Sequence, residues 1–231
     1  MIRLIQRGLA PIRARAAAVR RQWSNRVPEL VGRPEAYEFK RQFQMSFLQS
    51  QDVQPRHALV DYGCGVLRGG IPLIKYLDAG NYVGLDVGAD AMRAARKVVR
   101  RERLTNKRPT LVLVKDIDAL DLGRRVDYVW AFSVLFHLTD NHVDACLRFV
   151  SRHLAPGGTF FANVALGDHP PGAWRHFPVL WRTLDNYRAR ARAAGLSLSA
   201  LGELRQFGHH SPTDPEEDEQ TMLGFTIAPR A

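Results

Sequence analysis

The stretch Leu59–Gly70, LVDYGCGVLRGG, decides the fold. Ala58, Leu59 and Val60 read as a short buried strand with Asp61 at its carboxyl end. Gly63 and Gly65 then force a tight turn, because glycine enters positive φ without steric cost. A helix is expected over Gly69–Leu77, with Pro72 tolerated in its first turn. A strand, a glycine loop and a helix in that order place a ligand at the carboxyl edge of a parallel sheet.

The same residues narrow the ligand. A dinucleotide loop, G-x-G-x-x-G, would carry its third glycine at position 68, where Arg68 stands, and no Gly-Lys-Ser/Thr of a Walker loop opens the helix. A pyrophosphate seeks backbone N–H groups at a helix N-terminus, and the Asp61 carboxylate would repel it. A ligand carrying an ammonium and a sulfonium would be drawn to Asp61, and S-adenosylmethionine fits that description. Asp61-Tyr62-Gly63-Cys64-Gly65 resembles the D/E-x-G-x-G signature of the class I S-adenosylmethionine-dependent methyltransferases, with Leu67 in place of the third glycine of the longer form. The resemblance runs from Ala58 to Ala231 and implies cofactor contacts at Asp61, Gly63, Cys64 and Gly65.

Working outward, Tyr82–Leu85 reads as a second strand ending at Asp86, 21 residues beyond Gly65. A Rossmann-type site puts an acid there to bind ribose hydroxyls, and an ionised carboxylate, being acceptor-only, takes both diol protons. Val87 beside it joins the cofactor set. Ala89–Arg103 is a basic amphipathic helix, and Thr110–Lys115 the third strand. After it the resemblance places the residues flanking adenine: Asp116, an acceptor for the amino group, and Ile117, packing on the ring. A plain strand-end turn is the other reading of these two. Arg125–Val134 is a fourth strand, apolar enough for burial on both faces. Ser133 near its end is a further cofactor contact by resemblance, and Leu135–Leu138 form a wall facing the substrate. His137 lies in that wall. Histidine titrates near neutrality and is the natural base for a hydroxyl acceptor; capping the next helix, or stacking near the cofactor, is its bland alternative.

Thr139 or Asp140 caps a helix to about Leu154, Pro156-Gly157-Gly158 ends it, and Thr159–Val164 is the fifth strand. Gly167–Pro178, rich in His, Pro, Trp and Gly, reads as an irregular loop lining the substrate cleft. Val179–Ala194 is expected to be a helix with Gly195 at its C-cap. Leu196–Leu204 and Met222–Ile227 are the last two strands, and the polar, acidic Gly208–Gln220 between them is expected to be a mobile loop. His209 and His210 have no fixed ligand spacing, so no metal site is expected.

The chain has 231 residues, 45% hydrophobic, enough for one α/β domain with a full core and a small appendage. The division expected is a basic arm and cap helix over 1–51 and a cofactor-binding domain over 52–231. Cys64 and Cys146 have no metal or redox spacing, which points to a reducing, cytoplasmic setting. The net charge of +10 suits acidic partners, or only solvated arginine faces. Met1–Pro28 carries seven arginines and no acid, with apolar residues at roughly helical spacing. An amphipathic helix on an anionic membrane surface, a transit peptide and a plain N-terminal arm all satisfy that pattern. Arg33–Gln51 reads as a cap helix starting at Pro34, whose aromatics suit plain core packing, the other reading being that Tyr37 and Arg41 reach toward the cofactor.

The architecture expected is a doubly wound α/β domain with a seven-stranded sheet. By resemblance its order is 3-2-1-4-5-7-6, the last strand is antiparallel, and a helical cap lies over the carboxyl edge. The activity implied is transfer of the sulfonium methyl to an acceptor. An Asn/Asp/Ser-Pro-Pro-aromatic stretch would suit base methylation, and Ala131-Phe132-Ser133-Val134 stands in its place. Nucleic acid is therefore not favoured, and a small molecule, sugar or lipid-linked glycan, methylated on oxygen, is the leading acceptor. An RNA or protein methyltransferase, or a non-catalytic binding module on the same fold, are the alternatives.

Overall fold

The computed structural model describes residues 36–174 and 177–229. The basic arm, the helix start at Pro34 and His176 lie outside them. The strands are β1 (Leu59–Tyr62), β2 (Tyr82–Asp86), β3 (Thr110–Leu113), β4 (Val126–Ala131), β5 (Leu154–Val164), β6 (Gly172–Trp174), β7 (Phe177–Val179), β8 (Leu196–Glu203) and β9 (Thr221–Ile227). The helices are α1 (Tyr37–Ser50), α2 (Gly70–Tyr76), α3 (Ala89–Arg101), α4 (Asp140–His153) and α5 (Leu184–Ala193). One seven-stranded sheet runs β3-β2-β1-β4-β5-β9-β8, and β6-β7 form a separate hairpin. Strands β1 to β5 pair in parallel, while β9 is antiparallel to both β5 and β8. With the hairpin set aside, this is the 3-2-1-4-5-7-6 order, its last strand antiparallel.

The two faces follow from side-chain alternation along each strand. Leu59, Tyr82, Trp130 and Phe161 point to one face, where α1, α2 and α3 cover them with Phe47, Leu73 and Val98. Val60, Val83, Val129, Ala131 and Phe160 point to the other, under Val143, Cys146 and Phe149 of α4 and Tyr187 of α5. Helix α1 is fixed by aromatic packing: Phe47 stacks on Trp130 at 5.4 Å and meets Phe161 and Phe207 edge-on. Gln44 accepts from the Trp130 indole N–H at 3.0 Å, so the buried ring nitrogen is satisfied.

Several boundaries differ from those expected, each for a local reason. Strand β4 stops at Ala131, because Ser133 turns the backbone at φ +59°. Strand β5 begins at Leu154 and runs through Pro156-Gly157-Gly158. A Cβ on Gly158 would lie 2.6 Å from the Asp127 carbonyl, so glycine lets β5 close onto β4. Helix α5 starts at Leu184 rather than Val179, with the Thr183 hydroxyl accepting from Asn186 N. Gly167–Pro178 is not wholly irregular, since it contains β6 and the start of β7. Gly208–Gln220 is not a loose loop: His209 and Ser211 are buried, and Pro215–Glu219 forms a 3₁₀ turn. Among the described residues no helix is long and apolar enough to cross a membrane.

Candidate active site

The glycine loop joins β1 to α2 at the carboxyl edge of the sheet. Its donors are spent within the protein: Gly63 N and Cys64 N both donate to the Leu85 carbonyl, at 2.8 and 3.0 Å. Gly65 N donates to the Asp86 carboxylate at 2.8 Å. A phosphate would find few free N–H groups here and a carboxylate close by, which agrees with a cationic ligand. Gly63 has φ +78°, and a Cβ on it would meet Val134 Cγ2 at 2.6 Å. Leu67 sits at φ +68° and is fully buried. It occupies a glycine conformation, which explains why the longer signature has glycine there, and such strained residues cluster at functional sites.

Asp61 is 5% exposed, and its carboxylate accepts from the Tyr82 hydroxyl at 2.6 Å. In the parallel register Asp61 faces Gly84, and the missing side chain at Gly84 leaves room for the Tyr82 ring beside it. Burial pushes the Asp61 carboxyl up to about 7, against the lowering effect of the Tyr82 bond. Asp86 bonds Gly65 N through one oxygen and Gly88 N, at 2.7 Å, through the other. A carboxylate has about four lone-pair sites, so both oxygens retain capacity for a diol. Val87 next to it is 78% exposed, an uncovered apolar side chain beside Asp86.

Asp116 is exposed, and its Oδ1 accepts from the N–H groups of Asp118 and Ala119, so the turn reading holds for that oxygen. Ile117 is half-buried against the α4 face. Cys64 differs from the other loop residues: its thiol is buried, lies 3.9 Å from Met92 sulfur, and is raised well above its ordinary pKa by burial. Its side chain is taken up by packing. Ser133 N donates to Asn163 Oδ1 at 2.6 Å, and Asn163 Nδ2 donates to Gln220 Oε1 at 2.6 Å. Asn163, fully buried at the end of β5, thereby ties the turn after β4 to the segment before β9.

His137 lies in a 3₁₀ turn just beyond β4. Its Nδ1 is 2.7 Å from the Pro178 carbonyl, which can only accept, so Nδ1 carries the proton and Nε2 keeps its lone pair. Burial holds the imidazole below its ordinary pKa, partly offset by that bond. The hairpin is anchored over this turn: Leu180 N donates to the Phe136 carbonyl at 2.8 Å, and Gly167 N to the Arg182 carbonyl at 3.1 Å.

A second polar cluster escapes sequence reading. Lys40 on α1 is buried and bonds Glu217 at 2.5 Å. His209 is fully buried, its Nδ1 2.6 Å from the Asp218 carboxylate and its ring edge-on to Phe39 and Phe43. Burial lowers its pKa against the pull of Asp218. Burial lowers the pKa of the half-buried Arg68, against the opposing pull of Tyr37, Glu217 and Asp61. The sequence signal was the Phe39–Lys40–Phe43 spacing on α1, but its partners lie some 170 residues away. Among the described residues no group of three or more His, Cys, Asp or Glu is placed to hold a metal.

Family comparison places this geometry. A model of the family described as "Methyltransferase domain" matches residues 60–160. The sequence matches none of the curated proteins compared with it. Among solved structures, the chain is similar to the glycopeptide N-methyltransferase MtfA complexed with S-adenosylhomocysteine: TM-score 0.62, 15% identity, 80% of this chain and 89% of that one. It is also similar to the CcbJ methyltransferase from Streptomyces caelestis, TM-score 0.62 at 16% identity over 86% and 92% of the two chains. Magnesium protoporphyrin IX methyltransferase from Synechocystis PCC 6803, with bound S-adenosylmethionine, superposes at TM-score 0.59 and 17% identity over 82% and 80%. Residues 60–160 thus match a methyltransferase domain, and the fold that carries them is the Rossmann-like fold of the class I S-adenosylmethionine-dependent methyltransferases.

Proposed function

We propose that the enzyme methylates a hydroxyl group on a small molecule, sugar or lipid-linked glycan, with His137 as the base. The observation that carries this reading is the tautomer at His137, protonated at Nδ1 on Pro178 and open at Nε2. Asp61 and Asp86 would hold S-adenosylmethionine at its charged and ribose parts, with Val87 beside the ribose and Asp116 and Ile117 toward adenine. Held there, S-adenosylmethionine would supply an electrophilic methyl, the acceptor oxygen taking it in a new O–CH₃ bond while the S–CH₃ pair remained on sulfur. His137 Nε2 takes the hydroxyl proton, leaving a methyl ether. A neutral amine could attack first and lose its proton afterwards, so it would depend less on such a base. The resembling enzymes whose names state an acceptor act on a glycopeptide and on a porphyrin, which supports a discrete molecule rather than a polymer.

His137→Ala tests the reading once an acceptor is in hand. Turnover is expected to fall by about 10²–10⁴-fold, the usual contribution of a general base, while cofactor affinity holds. Because burial lowers the His137 pKa, the native enzyme should keep full rate at neutral pH. The rate should decline only as pH drops below histidine's ordinary range. A variant with normal turnover and an unchanged pH profile would make His137 structural.

A further inference from the structure

Four large apolar side chains stand exposed among the described residues: Val87, Phe177, Trp181 and Leu201. Val87 adjoins Asp86 in the cofactor site proposed above. Phe177, 51% exposed, and Trp181, 37%, belong instead to the excursion between β5 and α5. An isolated two-stranded hairpin is marginal in water, yet β6–β7 is pinned at its base and over His137 by the backbone bonds described above. The Trp174 and Phe177 rings stack with 21° between their planes. The His137 ring lies 6.3 Å from the first and 5.6 Å from the second. None of Gly172–Trp174 or Phe177–Val179 is charged. A base at the rim of fixed, uncharged aromatic faces suits an acceptor that presents an apolar ring face, because aromatic side chains gain from stacked contact beyond simple burial.

We infer that the β6–β7 hairpin is an acceptor platform that takes the uncharged face of a hydroxyl-bearing six-membered ring and presents its hydroxyl to His137. The inference rests on the reading of His137 as base. A pyranoside and a phenol share this chemistry, and the test separates them. The full chain is incubated with methyl-labelled S-adenosylmethionine and, in turn, methyl glucoside, phenol, the linear alcohol glycerol and the ring amine aniline. In parallel, saturation-transfer NMR with S-adenosylhomocysteine present reads ring binding without turnover.

Label is expected on methyl glucoside or on phenol and not on glycerol. Phe177→Ala and Trp174→Ala should each raise KM about tenfold, the equivalent of one lost aromatic contact, with kcat little changed. Both should abolish saturation transfer, and unchanged S-adenosylhomocysteine affinity would show that the variants fold. Preference for glycerol, an unaltered KM in both variants, or neither label nor saturation transfer on any ring compound overturns the platform. Label on aniline alone, with the same rise in KM, keeps the platform and overturns the hydroxyl reading instead.

Discussion

At the scale of single residues, burial brings the Asp61 carboxyl to titrate near neutrality, where a cationic cofactor would favour its ionised form. Its carboxyl titrates at about 7 because it is buried. S-adenosylmethionine, with two positive centres, favours the ionised form, so affinity should rise with pH through that region and binding should release a proton. Calorimetry in two buffers of different ionisation enthalpy measures the release, and Asp61→Asn should remove it. In the unliganded fold the sign is opposite to that of a salt-bridged acid. The folded pKa lies above the unfolded value, so the contribution to stability is fully present at low pH and is lost as pH climbs toward and through about 7. Asp86→Ala removes charge-assisted bonds worth about 1.5–3 kcal/mol, so affinity should fall roughly tenfold or more; titration of cofactor into the variant checks it. Asp61 and Asp86 were legible because strand-end position and spacing are written in the chain. Tyr82 was not, since its bond to Asp61 depends on the register of two strands and on the space left by Gly84.

Among elements, β5 positions more than its own length. Through Asn163 it fixes the left-handed turn at Ser133 and reaches Gln220. Asn163→Leu supplies an apolar side chain of similar volume but leaves two half-buried partners unbonded, at about 1 kcal/mol each. A lowered Tm, together with weaker cofactor binding from a loosened β4 turn, is the expected result, read by thermal denaturation and titration. The strand order followed from the family resemblance, whereas the hairpin was invisible: strands of three residues among prolines and glycines have no period to detect. The segment around His209 misled for a related reason. Its composition is that of a solvated loop, and only the docking of α1, through Lys40–Glu217 and the rings around His209, buries it.

For the molecule as a whole, two apolar layers share one sheet, so ligand binding at its carboxyl edge should stabilise the entire domain. S-adenosylmethionine at a hundred times its Kd would add about 2.7 kcal/mol, or about 5–10 °C in Tm for a domain of this size; scanning fluorimetry measures the shift, which should shrink for Asp86→Ala at the same concentration. The sheet was readable as a whole because each strand–helix step repeats one pattern, while the cap's position required contacts between distant parts of the chain. One arrangement has its own bearing on biosynthesis. Strand β9 lies between β5 and β8 and pairs with both, yet it follows them in the chain. A nascent polypeptide therefore leaves the flanks of β5 and β8 bare until residue 227 has cleared the ribosome, and in that interval those flanks are the places where neighbouring chains on one messenger would entangle.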